Sequence, residues 1–124
     1  MKKILIVEDD ESVADVLQAR LAKSGFQVIW ALDAYQGLTL AKSEAPDLII
    51  LDLMLPGGGG EATLKNLKMS SKTSFTPVLV LTASTDAELK RRMLAEGVVG
   101  YMEKPYDGNE LIRAIHAVLD RNNS

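Results

Sequence analysis

Asp47-Leu48-Ile49-Ile50-Leu51-Asp52-Leu53-Met54-Leu55-Pro56 sets four unbroken aliphatics directly before a carboxylate, then closes on proline and a run of glycines. Aliphatics without polar alternation read as a strand covered on both faces, as parallel strands in α/β domains are. Asp52 then stands at the carboxyl end of that strand, the edge of an open α/β sheet where ligands bind. An acid there is placed for chemistry rather than for packing.

Working outward, Ile4-Leu5-Ile6-Val7 is a second continuous aliphatic run, and it also ends in acids: Glu8, Asp9 and Asp10. From Asp10 the period changes to helical spacing, with Val13, Leu17 and Leu21 joined by Ala14 and Val16, until Gly25 offers a left-handed stop. Gln27-Val28-Ile29-Trp30 is less uniformly apolar and is expected at a sheet edge. Asp33 can cap a helix carrying Leu38, Ala41 and Ala45 on one face, and Pro46 ends it. Beyond Pro56, Gly57–Gly60 reads as a flexible loop entering a helix with Leu64 and Leu67, and Ser70 to Thr76 as a polar loop.

Pro77 opens a fourth strand, Val78-Leu79-Val80-Leu81, that runs into Thr82-Ala83-Ser84. Thr85-Asp86-Ala87-Glu88 has the spacing of a capping box, which predicts a helix running to Gly97. Val98-Val99-Gly100-Tyr101-Met102 is the fifth strand, followed by Glu103-Lys104-Pro105. Asp107 caps a last helix with Leu111, Ile115 and Val118 along its buried stripe, and the polar tail after it is expected to fray. Strands alternating with helices through short loops mean a parallel sheet with helices on both faces, in one domain over residues 1–124.

Composition sets outer bounds on function. A 47% hydrophobic content supplies a core for 124 residues without disulfides, and the absence of Cys removes thiolate metal sites. That absence suits a reducing, cytoplasmic location. The apolar run after Lys2 and Lys3 stops at Glu8, too soon for a signal peptide or a membrane span. A net charge of −3 argues against direct nucleic-acid binding by this domain.

The strand order 2-1-3-4-5 is carried over from known doubly wound proteins rather than derived. With it, the first and third strands are neighbours and Glu8 and Asp9 face Asp52. Three carboxylates crowded at a low-dielectric edge repel one another unless a cation neutralises them. Oxygen ligands without Cys or a nearby His favour a hard ion, and Mg²⁺ takes one or two carboxylates plus waters and phosphate oxygens. Thr82 and Lys104 arrive at the same edge, a hydroxyl and an ammonium suited to phosphoryl oxygens. Asp52 can then attack phosphorus to give an aspartyl phosphate, a reaction that needs alignment and charge neutralisation but no general base.

Val7-Glu8-Asp9, Asp52 with Pro56 and Gly60, Thr82-Ala83, and Tyr101 with Lys104-Pro105 together resemble the receiver (CheY-like) domain of two-component response regulators, over essentially the whole chain. The resemblance implies a flavodoxin-like fold and a phosphorylation-dependent signalling switch rather than an enzyme, though one that assists its own phosphorylation and dephosphorylation. It implies that Asp52 accepts phosphate from a sensor histidine kinase or phosphotransfer protein. Asp9, Asp52 and the backbone carbonyl of Met54 would bind Mg²⁺, with Glu8 acting mainly through water. Lys104 would contact the phosphoryl group, and its bond to Pro105 would be cis. Thr82 and Tyr101 would be the switch pair that alters the surface of the fourth helix, fifth strand and fifth helix. That surface would serve a downstream output domain or protein, or a homodimer.

Met54, two residues after Asp52, and Ser84, two after Thr82, depart from acidic or amide side chains at positions that in this family tune aspartyl-phosphate hydrolysis. Slow self-dephosphorylation is therefore expected. The four glycines replace a more varied loop.

Blander readings exist for each residue. Glu8 and Asp9 could belong to a solvated charge run with Asp10 and Glu11, Lys104 to the surface, Thr82 to ordinary strand-end turns, and Tyr101 to packing. The shared edge favours the site. The glycine run lacks the Lys-Ser/Thr ending of a phosphate loop. His116, the single histidine, falls off the last helix's apolar stripe and is expected to face solvent. A haloacid-dehalogenase-type hydrolase would need a second Asp where Met54 stands, and in a flavodoxin-type carrier Glu8-Asp9-Asp10 would repel the flavin phosphate. The remaining alternative is a phosphorylation-independent, receiver-like interaction module.

Overall fold

The computed structural model describes residues 1–55 and 59–122. Pro56, the first half of the glycine loop expected over Gly57–Gly60, and the tail residues Asn123 and Ser124 lie outside the described residues. The elements run β1 (Lys3–Val7), α1 (Glu11–Lys23), β2 (Gln27–Ala31), α2 (Ala34–Glu44), β3 (Leu48–Leu51), α3 (Gly59–Met69), β4 (Val78–Thr82), α4 (Ala87–Ala95), β5 (Gly100–Glu103) and α5 (Gly108–Asn122). All strand pairs are parallel, in the order β2-β1-β3-β4-β5. This is the doubly wound order carried over from known folds.

Alternation along the buried strands builds two cores. Leu5, Val7, Ile49, Leu51, Val78 and Val80 face α2, α3 and α4 through Ala41, Leu64, Leu67 and Met93. Ile4, Ile6, Leu48, Ile50, Leu79 and Leu81 face α1 and α5 through Leu17, Leu21, Leu111 and Ile115. Every residue of β3 and β4 is buried, which accounts for their unbroken apolar runs. Each such aliphatic side chain contributes about 2 kcal/mol by leaving water. The edge strands β2 and β5 are only half-buried.

Capping residues fix where the helices start. Asp10 accepts from the Val13 amide at 3.2 Å, Asp33 from Gln36 at 2.8 Å and Asp107 from Glu110 at 3.0 Å. Gly25, at φ 92°, turns the chain after α1.

Five expectations shift. Gly59 and Gly60, expected in the flexible loop, are the first two residues of α3. Val16 is 60% exposed, because the buried stripe of α1 is Ala14, Leu17 and Leu21 and Val16 lies outside it. Ala45 is exposed in the left-handed conformation that ends α2, not on its buried face. The cap of α4 is Asp86 rather than Thr85, its carboxylate accepting from the Glu88 amide at 3.0 Å. β5 is in register from Gly100, opposite Leu79; the Val99 amide just before it donates to the Val78 carbonyl at 2.9 Å, and Val98 belongs to the connection. His116 is exposed, as expected, with its ring 5.4 Å from that of Phe26.

Candidate phosphoacceptor site

Val7 and Leu51 are register partners on adjacent strands, so Glu8 and Asp52 leave the sheet side by side. The Asp52 amide donates to the Val7 carbonyl at 3.1 Å, which extends the pairing to the acid itself. Ligand oxygens of Glu8, Asp9 and Asp52 all lie within 4.8 Å of one another. Glu8 and Asp52 are buried and Asp9 is exposed, a cup of acids open on one side.

Lys104 closes the opposite side. Its Nζ lies 2.8 Å from Glu8 Oε1 and 3.4 Å from Asp52 Oδ2. The Lys104 amide donates to the Thr82 carbonyl at 2.8 Å, so pairing between β4 and β5 carries the lysine to this edge. The Lys104–Pro105 peptide is cis, as the resemblance implies. Asp52 Oδ1 accepts from the Met54 amide at 3.0 Å, and Glu8 Oε2 from the Asp10 amide at 3.1 Å. Asp52 is thus left with one oxygen toward the ammonium, while both oxygens of Glu8 are engaged by the protein.

The electrostatics follow from this crowding. Burial is the largest influence on Glu8 and raises its carboxyl above the ordinary range; Lys104 and the Asp10 amide pull it down, while Asp52 pushes it further up. Burial also works against the Lys104 ammonium, but the hydrogen bond to Glu8 and the charge of Asp52 outweigh it, and its pKa is raised. Three carboxylates facing one ammonium leave two negative charges unmatched. That surplus and an all-oxygen donor set fit a hard divalent cation such as Mg²⁺.

Thr82 is fully buried at the end of β4, and its Oγ1 accepts from the Ser84 amide at 3.2 Å. Tyr101 sits in β5 with its ring against the α4-side core, and Lys90 Nζ lies 5.8 Å from the ring centre. Its hydroxyl is buried without a hydrogen-bond partner among the described residues. Burial, then Glu103 and Asp86, raises the pKa of that phenol. Beside Lys104, the exposed flank of α1 and the segment Pro105–Tyr106 enclose a hollow of about 400 Å³ that includes Val13, Val16 and Arg20.

Two features of the site were not foreseen in the sequence. Gly60 packs so tightly under Asp52 that a Cβ there would stand 2.4 Å from the Asp52 carbonyl oxygen and 2.5 Å from Leu53 Cα. The resemblance picks out Gly60, but nothing in the run of four glycines shows that the Asp52 backbone packs against this one. Lys104 pairs more closely with Glu8 than with Asp52, which spacing along the chain cannot reveal.

The chain matches the response regulator receiver domain model over residues 4–116. It belongs to that family. As a receiver domain it carries a phosphorylation-based signalling role. It is 42% identical over 120 residues to the alkaline phosphatase synthesis transcriptional regulatory protein PhoP of Bacillus subtilis, covering 97% of this chain and 49% of that one. It is 36% identical over 121 residues to the DNA-binding dual master transcriptional regulator RpaA of Synechocystis sp., covering 98% of this chain and 50% of the relative. The chain therefore spans about half the length of these curated relatives. The chemotaxis protein CheY4 of Vibrio cholerae superposes with a TM-score of 0.88 at 32% identity, over 95% of this receiver domain and 98% of CheY4. No helix among the described residues is long and apolar enough to cross a membrane.

Proposed function

We propose that this receiver domain takes a phosphoryl group onto Asp52 from the phosphohistidine of a sensor kinase or phosphotransfer protein. An Asp52 oxygen attacks phosphorus, the phosphorus–nitrogen bond breaks, and the imidazole leaves with the bonding electron pair. A bound Mg²⁺ supplies charge neutralisation for the acids and the phosphoryl oxygens. Asp9, Asp52 and the Met54 backbone carbonyl would hold it, with Glu8 acting through water. Lys104 holds the transferred group by its ammonium, and the Thr82 hydroxyl binds another of its oxygens. The observation that carries this reading is the convergence of Glu8, Asp9 and Asp52 within 4.8 Å, with Lys104 3.4 Å from Asp52.

The output is a change of surface. Moving Thr82 toward the phosphoryl group makes room for the Tyr101 ring, whose hydroxyl has no partner among the described residues where it now lies. Phosphorylation then favours one of two packings of α4, β5 and α5. That face would dock an output domain, a separate target or a second copy of the chain, in the cytoplasm and without direct nucleic-acid contact by this domain.

Incubation with acetyl phosphate and Mg²⁺, followed by intact-mass analysis or Phos-tag electrophoresis, tests the reading. Wild type gains one phosphoryl group and Asp52→Asn gains none. If wild type stays unmodified with both a small donor and a kinase, the phosphorylation-independent interaction module is the correct reading.

A further inference from the structure

Backbone pairing between β1 and β2 ends at Glu8, whose amide donates to the Ala31 carbonyl at 3.1 Å. The next rung would need a β2 amide beyond Ala31, but Asp33 already caps α2 and the chain has turned away. The Glu8 carbonyl accepts instead from the indole Nε1 of Trp30, at 2.7 Å. A side chain 22 residues away in sequence thus replaces a missing strand contact.

That replacement matters for the residue that follows. The Glu8–Asp9 peptide is planar, so fixing its carbonyl fixes the plane and with it the direction in which Asp9 leaves. Asp52 is held by the Met54 amide, and Glu8 by Lys104 and the Asp10 amide. Asp9 has no such support: its carboxylate makes no hydrogen bond or ion pair among the described residues, yet its oxygen lies within 4.8 Å of those of Glu8 and Asp52. Only the backbone aims it.

We infer that Trp30 is a positioning residue for the cation site, its indole N–H locking the Glu8 carbonyl so that Asp9 points at Asp52. This rests on the reading of the acids as a divalent-cation site. Groups that orient metal ligands from behind commonly change affinity by about 10- to 100-fold when removed.

Trp30→Phe deletes the N–H while keeping an aromatic ring against the α1-side core. Val28→Ala, two residues earlier on the same half-buried face, serves as the packing control. Mg²⁺ titration by calorimetry and urea unfolding are measured on wild type and both variants. Trp30→Phe is expected to weaken Mg²⁺ at least about tenfold, while Val28→Ala loses stability and keeps wild-type affinity. Trp30 is the only tryptophan, so the protein gives a single indole N–H resonance, expected to shift as Mg²⁺ is added. Wild-type binding with Trp30→Phe within twofold of it overturns the positioning role and leaves the phosphoacceptor reading intact. Equal weakening in both variants reduces Trp30 to packing and also overturns it. A wild type that binds no Mg²⁺ removes the cation site itself, and the positioning role with it.

Discussion

Replacing Gly60 by alanine adds one methyl group at a position where two physical effects oppose each other. Gly60 is the second residue of α3, and alanine there improves helix propensity by about 1 kcal/mol. The new Cβ, however, would lie 2.4 Å from the Asp52 carbonyl oxygen, 2.5 Å from Leu53 Cα and 3.0 Å from the Asp52 carbonyl carbon. All three atoms are backbone, so no side-chain rotation relieves the clash. Ordinary contact near 3.4 Å requires α3 to retreat from the Asp52 loop by about 1 Å. That retreat strains the hydrogen bond from the Gly60 amide to the Leu53 carbonyl, 3.0 Å long. Overpacking costs typically about 1–3 kcal/mol, and an unyielding backbone belongs at the upper end. The balance is a loss of about 2 kcal/mol, against the propensity gain. At this chain length it lowers the melting temperature by about 8 °C. Urea and thermal unfolding measure the stability, and acetyl phosphate labelling of Asp52 measures the displacement of the loop, with slower labelling expected. A Gly60→Ala protein as stable as wild type, or more so, would refute the argument, because propensity would then have prevailed over the close approach.

Three further outcomes follow from the site. Glu8 has a folded-state pKa above its unfolded value, so its contribution to stability is complete at low pH and is lost as pH rises through the folded value. In metal-free buffer Glu8→Gln should gain on wild type across that rise, and added Mg²⁺ should favour wild type, both read by urea midpoints. Tyr101→Phe removes a buried hydroxyl that has no partner among the described residues and should raise the stability of the unphosphorylated protein by about 1 kcal/mol, seen as a higher urea midpoint. Met54 is 60% exposed beside Asp52 and offers nothing to orient an attacking water. Met54→Asn should shorten the lifetime of the phosphorylated form, timed by Phos-tag electrophoresis.

The central strands were legible because burial on both faces leaves no room for polar residues. The runs Ile4–Val7, Leu48–Leu51 and Val78–Leu81 therefore state their position directly. The acids that end the first two runs, Glu8 and Asp52, were legible for the same reason, since a carboxylate after such a run has nowhere to go but the edge. Strand order had to be borrowed, because nothing in an aliphatic run names its neighbour. Val16 misled because valine on a helix reads as core whichever way it faces, and here it flanks the hollow beside Lys104. The cap of α4 fell one residue late because the carboxylate of Asp86 competes with the hydroxyl of Thr85 for the same amides. The close contact behind Gly60, a residue the resemblance singles out, and the role of Trp30 were hidden for a different reason. Each acts through a backbone group distant in sequence, and only the folded chain brings the two together.

The sheet also divides labour between its middle and its rim. The proposed acceptor and the acids beside it hang from β1 and β3, which are flanked by strands on both sides, whereas Tyr101 lies in β5 and Lys104 directly follows it, on a border strand with half-exposed residues. Opening a border strand takes less free energy than opening the interior of a sheet. On the proposed function, the message would be written on an anchored foundation and read from a looser margin, so resetting the reader would not require dismantling the place where the mark is made.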